Sequence, residues 1–106
     1  MKMGLFSFLS GPDVNQGVRE CRSIPGAVLM DVRERDEYSQ GRIPGSVNLP
    51  LSELEAGAPA LDKSTPLFVY CLSGGRSSRA AAALKAMGFR AKNIGGISAW
   101  KGEIER

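Results

Sequence analysis

Short apolar runs alternate along the chain with segments of mixed apolar and polar residues. Two runs, 27–32 and 67–70, are continuous enough to predict strands that are covered on both faces of a sheet. Briefer strands are predicted at 46–49 and near 91–94, and the apolar residues 5–9 predict either a short first strand or an unstructured tail. Because helix-like segments separate these runs, the pattern favours an α/β sheet over a helix bundle.

The segments between the strands carry helix start and stop signals. Helices are predicted at 13–22 with Asp13 as N-cap, at 34–40, at 77–87, and at the end of the chain around Trp100. Ser52 and Glu55 have the spacing of a capping box and predict a further short helix. Gly41 and Gly88 are suited to end two of these helices, and Trp100 is interpreted as a core anchor for the last one.

Composition narrows the classes of function. The 106 residues predict one domain, 1–106, and the net charge of +3 without a block of like charges does not indicate a nucleic-acid partner. The absence of histidine excludes Ser-His-Asp and Cys-His catalytic pairs, and with two cysteines it argues against a metal site. No cofactor is indicated, and no apolar stretch approaches the roughly 20 residues of a membrane span. Two cysteines far apart in sequence predict reduced thiols and a cytoplasmic location.

The candidate chemistry lies at Cys71, at the carboxyl end of the predicted strand 67–70. Glycine-containing loop residues 72–76 follow, and then a helix, which is where open α/β sheets bind ligands. Backbone N–H groups, the positive helix end and the charge of Arg76 should lower the pKa of the Cys71 thiol, so that it attacks as a thiolate without a general base. The alternative is that Cys71 is a small buried hydrophobic residue, which is the interpretation we favour for Cys21.

Four segments together resemble the single-domain rhodanese family over nearly the whole chain. They are Asp31-Val32-Arg33 with Glu37-Tyr38, the run Gly41-Arg42-Ile43-Pro44-Gly45-Ser46-Val47-Asn48-Leu49-Pro50, the loop Cys71-Leu72-Ser73-Gly74-Gly75-Arg76-Ser77, and Gly88-Phe89 with Gly95-Gly96-Ile97-Ser98-Ala99-Trp100. Many relatives have histidine at the position of Arg42, a departure that bears on local structure more than on chemistry. The resemblance implies a three-layer fold, with a mainly parallel five-stranded sheet and helices on both faces.

The resemblance also implies an activity. Cys71 would accept sulfane sulfur from a small anionic donor such as thiosulfate or a persulfide, and would pass it to a thiophilic acceptor such as cyanide or a thiol. The persulfide and the donor would be bound by the active loop and the start of the helix, namely Leu72, Ser73, Gly74, Gly75, Arg76 and Ser77. Arg33 would lie near the mouth of the site, where it would assist anion capture or form a structural ion pair.

Three other functions are weighed against thiosulfate sulfurtransferase activity. A cysteine phosphatase needs one more residue between cysteine and arginine than the four present here, 72–75. A rhodanese-like binding module commonly lacks the cysteine or the loop glycines, which this chain has. A persulfide relay would use the same chemistry with a protein as sulfur donor or acceptor.

Five arginines near the predicted site have two interpretations. They form either a basic rim that attracts small anions or ordinary solvated charge, and they are Arg33, Arg35, Arg42, Arg76 and Arg79.

Overall fold

The computed structural model describes residues 11–106. In this part of the chain, four strands form one sheet in the order β2-β1-β3-β4, and all of the pairings are parallel. The strands are β1 (Val28–Asp31), β2 (Val47–Asn48), β3 (Pro66–Cys71) and β4 (Arg90–Gly96). The predicted α/β class with a parallel sheet is confirmed. Residues 5–9, for which either a first strand or an unstructured tail is predicted, lie outside the described residues.

Within residues 11–106, four α-helices and three 3-10 turns connect and cover these strands. The helices are α1 (Val14–Ser23), α2 (Arg35–Gln40), α3 (Leu54–Gly57) and α4 (Gly75–Ala86), and the turns are Leu51–Glu53, Ala58–Ala60 and Ile97–Ala99. Helix α1 begins as predicted, because the Asp13 carboxylate accepts the Asn15 N–H at 3.0 Å. None of the helices within residues 11–106 has the length and apolar character needed to cross a membrane.

The buried side chains form two clusters, one on each face of the sheet. Leu29, Phe68 and Tyr70 pack towards α1, whereas Met30 and Val69 pack towards α3 and α4. Successive residues of a strand point to opposite faces, so a strand buried on both sides is apolar at every position. This arrangement explains the continuous apolar runs in the sequence and gives the three layers that the resemblance implies.

The predicted terminal helix around Trp100 is wrong. Ile97–Ala99 forms a single 3-10 turn, Trp100 is extended, and Gly102, a poor helix former, lies two residues further on. The chain then returns to the α2 side of the molecule, where Arg42 and Glu105 form an isolated antiparallel bridge. Trp100 still packs against the α1 cluster while only half-buried, and its indole N–H donates to the Glu103 carbonyl at 2.8 Å.

The capping box predicted at Ser52 and Glu55 is also wrong. The segment begins with the 3-10 turn Leu51–Glu53, and α3 follows without a side-chain cap. The Ser52 hydroxyl donates instead to the Glu34 carboxylate at 3.1 Å, which ties this segment to the start of α2. Spacing alone did not distinguish a local cap from a contact between two segments far apart in sequence.

Candidate active site around Cys71

Cys71 is the last residue of β3, and the chain reverses directly after it into α4. Helix α4 begins at Gly75, two residues before the predicted start, so Gly75 and Arg76 lie in its first turn and not in the loop. The reversal depends on Gly74, whose φ of 107° is a conformation that other residues rarely adopt. The shortened loop brings the Gly74 N–H to 3.0 Å from the Cys71 Sγ.

Hydrogen-bond donors surround the Cys71 sulfur although the residue is buried. Besides the Gly74 N–H, the Ser77 hydroxyl lies 3.4 Å from the sulfur. Burial by itself would raise the pKa of the thiol, but hydrogen bonds from the Ser77 hydroxyl and from the backbone of Ser77, Gly74 and Ser73 outweigh it and lower the pKa of Cys71. The site therefore stabilises the thiolate, the reactive form of cysteine, relative to that of an ordinary cysteine.

Cys21 has the opposite environment. It lies on α1 within the cluster on the other face of the sheet, with 5% of its surface exposed. Burial raises the pKa of the Cys21 thiol and keeps it protonated. These surroundings agree with the structural role expected for Cys21.

Arg76 does not present an uncompensated charge to the loop. Its guanidinium forms a two-point ion pair with the Glu37 carboxylate of α2, with Nη1–Oε1 at 2.7 Å and Nη2–Oε2 at 3.0 Å. The hydrogen bonds from Arg76 are the main reason that the pKa of Glu37 falls to about 2. The ion pair joins α2 to the first turn of α4, and so holds the helix that carries Ser77.

We expect the Glu37–Arg76 pair to make the stability of the protein pH-dependent. The folded-state pKa of Glu37 is depressed from 4.5 to about 2, so its contribution is complete above about pH 4.5 and is lost as the pH falls towards 2. Glu37→Gln should therefore reduce the loss of stability between about pH 5 and about pH 3, measured by urea unfolding.

Glu53→Gln is the matched control for this experiment. It removes a carboxylate whose ion pair with Arg35 lies largely in solvent. The control should unfold with the same pH dependence as the wild type. An equal change in both variants would show that the effect is one of net charge and not of the Glu37–Arg76 contact.

Arg33 is placed near the site but is engaged in the fold. Its Nη2 donates to the Asp31 carboxylate and to the Gly41 carbonyl, each at 2.7 Å, and its Nε donates to the same carboxylate. Burial would lower the pKa of Arg33, but the hydrogen bond and charge of Asp31 outweigh it and raise the pKa. These contacts favour the structural ion pair, and a role of Arg33 in anion capture stays a prediction.

Four of the five arginines of the predicted basic rim are paired with carboxylates. Besides the pairs of Arg33 and Arg76, Arg35 pairs with Glu53 at 2.5 Å and Arg42 pairs with Glu105 at 3.4 Å. The Arg42 guanidinium also lies over the Tyr38 ring, 4.9 Å from its centroid. These pairs argue against free charge at the four arginines, because a sequence shows cations but not which carboxylates the fold brings to them. For Arg79 the interpretation stays a prediction.

A shallow groove of about 360 Å³ lies beside the active loop. Charged, polar and apolar side chains line it, and Leu72 is 47% exposed there. A larger cavity of about 510 Å³ lies at the opposite end of the strands, near Pro66 and Arg90, and so is remote from Cys71. Of the predicted site residues, Arg33 and Leu72 line the groove, so it borders the active loop.

Two residues of β4 that were not singled out as site residues shape the active loop. A Cβ at Gly96 would overlap the carbonyl oxygen of Leu72, so only glycine permits this close approach. Asn93 accepts a hydrogen bond from the Ser77 hydroxyl at 2.7 Å. The Gly95-Gly96 pair was a visible signal for the close approach, whereas nothing in the sequence marks Asn93.

The comparisons with known proteins agree with this geometry. The family model of the rhodanese-like domain matches residues 15–103, which include the whole site. The chain belongs to the rhodanese-like family. A solved rhodanese-related protein from Thermoplasma volcanium is similar in structure, with a TM-score of 0.75 and 28% identity, over 90% of this chain and 98% of that one.

Two curated relatives show how far this rhodanese-like chain is matched in sequence. It is 34% identical to thiosulfate sulfurtransferase GlpE of Coxiella burnetii, over 70% of this chain and 71% of that protein. It is 38% identical to Bacillus subtilis YrkF, which is provisionally named a sulfur carrier protein, over 73% of this chain but only 43% of YrkF. The chain thus spans less than half the length of YrkF.

Proposed function

We propose that the protein is a sulfurtransferase that carries sulfane sulfur as a persulfide on Cys71. The observation that supports this most strongly is the Cys71 sulfur at the end of β3, with the Gly74 N–H at 3.0 Å and the Ser77 hydroxyl at 3.4 Å. Donors in this position stabilise a negative sulfur, whether it is the thiolate or the terminal atom of a persulfide. The loop is shorter than a phosphate cradle requires, in keeping with a smaller target.

Transfer proceeds by two displacements at sulfur. The Cys71 thiolate attacks the sulfane sulfur of thiosulfate, an S–S bond forms to Cys71, and sulfite leaves with the electron pair of the bond that breaks. Cyanide then attacks the outer sulfur of the persulfide, thiocyanate leaves, and the thiolate of Cys71 is restored. No external oxidant or reductant is consumed, and no general base is needed because the nucleophile is already anionic.

Thiocyanate formation from thiosulfate and cyanide tests this proposal. We expect turnover in the wild type, none in Cys71→Ala, and retained activity in Cys21→Ala, because Cys21 lies on the opposite face of the sheet. Equal activity in Cys71→Ala and the wild type would contradict the proposal. If both cysteine variants lose activity, circular dichroism would show whether they are folded before the loss is assigned to either thiol.

A second candidate is a persulfide relay between proteins. The arginines around the mouth are compensated by carboxylates, which weakens the attraction for small dianions such as thiosulfate, and Leu72 offers an exposed apolar side chain beside the groove. The provisional name of YrkF as a sulfur carrier protein is in keeping with this reading. Rapid loading of Cys71 by a persulfide-bearing protein, with slow loading by thiosulfate, would identify the relay.

The proposal also predicts the cellular compartment in which the protein acts. Both cysteines are free in the structure, and the chemistry requires Cys71 as a thiolate. A reducing environment such as the cytoplasm maintains that state. Detection of the protein in a cellular fraction with its thiols reduced would agree with the expectation.

A further inference from the structure

The Ser77 hydroxyl faces more acceptors than it can serve. It lies 2.7 Å from the Asn93 Oδ1, 3.3 Å from the Gly95 carbonyl and 3.4 Å from the Cys71 sulfur. A hydroxyl has one proton and donates to one acceptor at a time. Because Ser77 is fully buried, its hydroxyl donates to one of these groups and not to bulk water. The proton of Ser77 is thus shared among the Asn93 Oδ1, the Gly95 carbonyl and the reactive sulfur, and the Asn93 Oδ1 is the closest of the three.

Asn93 is itself held in one orientation. Its Oδ1 accepts the Gly95 N–H at 3.0 Å, and its Nδ2 lies 3.4 Å from the Gly74 carbonyl. These partners define which end of the amide faces Ser77, because only the oxygen accepts the Gly95 N–H. Asn93 therefore offers the Ser77 hydroxyl a close acceptor in a fixed position, which competes with the sulfur.

We infer that Asn93 is a positioning residue that competes with Cys71 for the Ser77 proton and thereby sets the basicity of the reactive sulfur. In the thiol state the hydroxyl donates to the Asn93 Oδ1, the closer acceptor. In the thiolate or persulfide state it turns to the negative sulfur, and the Asn93 Oδ1 keeps the Gly95 N–H. The inference rests on the proposed function for its meaning in sulfur transfer, but its geometry is independent of any substrate.

The competition has a chemical consequence. When Cys71 ionises, the Ser77 hydroxyl must give up its hydrogen bond to Asn93 before it can donate to the thiolate. Asn93 therefore keeps the sulfur more basic than it would be with the loop donors alone. A more basic thiolate is a stronger nucleophile, although less of it is present at a given pH. Asn93 thus balances the amount of thiolate against its reactivity.

Charged groups near the sulfur do not account for this effect. The cation in the first turn of α4, Arg76, is paired with Glu37 of α2, and Asp31 of β1 is paired with Arg33. The other cations of α4, Arg79 and Lys85, lie further along the helix. The β4 residues that approach the site, Asn93, Gly95 and Gly96, are uncharged. Substitution of Asn93 by an apolar residue therefore leaves the charges around Cys71 unchanged.

The test is the pH dependence of Cys71 alkylation by iodoacetamide, with Cys21→Ala present in every variant so that one thiol reacts. Asn93→Leu should lower the pKa of Cys71 and raise the thiolate fraction at low pH by about three- to tenfold, the worth of one neutral hydrogen bond. Its alkylation rate at the high-pH plateau should fall, because the thiolate is less basic. Ser77→Ala should shift the pKa the other way.

The double variant Ser77→Ala/Asn93→Leu separates competition for the proton from a general structural effect. It should titrate like Ser77→Ala alone, because Asn93 acts through the Ser77 proton. A Cys71 pKa that rises or stays unchanged in Asn93→Leu would overturn the inference. So would an equal effect of Asn93→Leu on that pKa with Ser77 present and with Ser77→Ala. Asn93→Ala serves the same comparison if the leucine variant does not fold. Alkylation needs no sulfur transfer, so a failure here is distinct from a failure of the proposed function.

Discussion

Asp31→Ala is expected to lower the free energy of unfolding by about 3–5 kcal/mol, the range for removing one partner of a buried ion pair. Asp31 is fully buried, and its carboxylate accepts the Arg33 backbone N–H at 2.9 Å as well as the guanidinium. After the substitution, the Arg33 guanidinium would keep only the Gly41 carbonyl as a hydrogen-bond partner among the described residues and would remain a buried charge. Urea unfolding of the purified variants measures the difference.

The double variant Asp31→Ala/Arg33→Met is the control for this prediction. It removes the unpaired charge together with its partner, so it should be more stable than Asp31→Ala alone. The Asp31 side chain would then be shown to act through Arg33 and not through its own packing. A single variant within about 1 kcal/mol of the wild type would contradict the account, since that is the range of exposed ion pairs.

Gly96→Ala is expected to reduce sulfur transfer by about a hundredfold, the cost of misplacing reacting groups by about 1 Å. Gly96 has an extended backbone that any residue adopts, so the restriction is one of space. The added Cβ would overlap the Leu72 carbonyl and crowd the Ser73 Cα, which would push the loop away from β4. The hydrogen bond from the Ser98 N–H to the same Leu72 carbonyl, at 3.0 Å, would be lost.

Gly75→Ala is the steric control for the stability of this variant. A Cβ at Gly75 meets no atom within 4 Å, and the residue lies in the first turn of α4, where alanine is favourable. We expect Gly75→Ala to unfold at least as late as the wild type in urea, whereas Gly96→Ala unfolds earlier. Full transfer activity in Gly96→Ala would mean that the contact between β4 and the loop does not position Cys71.

The sequence was sufficient to predict the framework of the site. The run 67–70 predicts a strand because both of its faces are buried, and Cys71 follows it at the sheet edge where α/β proteins bind ligands. Gly74 indicated a tight reversal, which the structure shows with a positive φ. These features depend on local conformation and on burial, which periodicity and residue type report directly.

The electrostatics of the site could not be predicted in the same way. Arg76 was expected to act as a free charge, but α2 brings Glu37 against it. Asn93 directly precedes a register irregularity between β3 and β4, after which Tyr70 is paired with Gly95, and the sequence does not indicate this irregularity. Contacts between segments far apart in sequence determine which charges are compensated, and neither spacing nor composition specifies them.

The most direct test of the account is the mass of the protein after reaction with a sulfane-sulfur donor. Wild-type protein would be treated in parallel with thiosulfate and with an organic persulfide, separated from the donor and analysed intact and as peptides. We predict the gain of one sulfur atom on the peptide that contains Cys71, and its removal by cyanide with release of thiocyanate. No added sulfur from either donor, on protein whose Cys71 still reacts with iodoacetamide, would contradict the account.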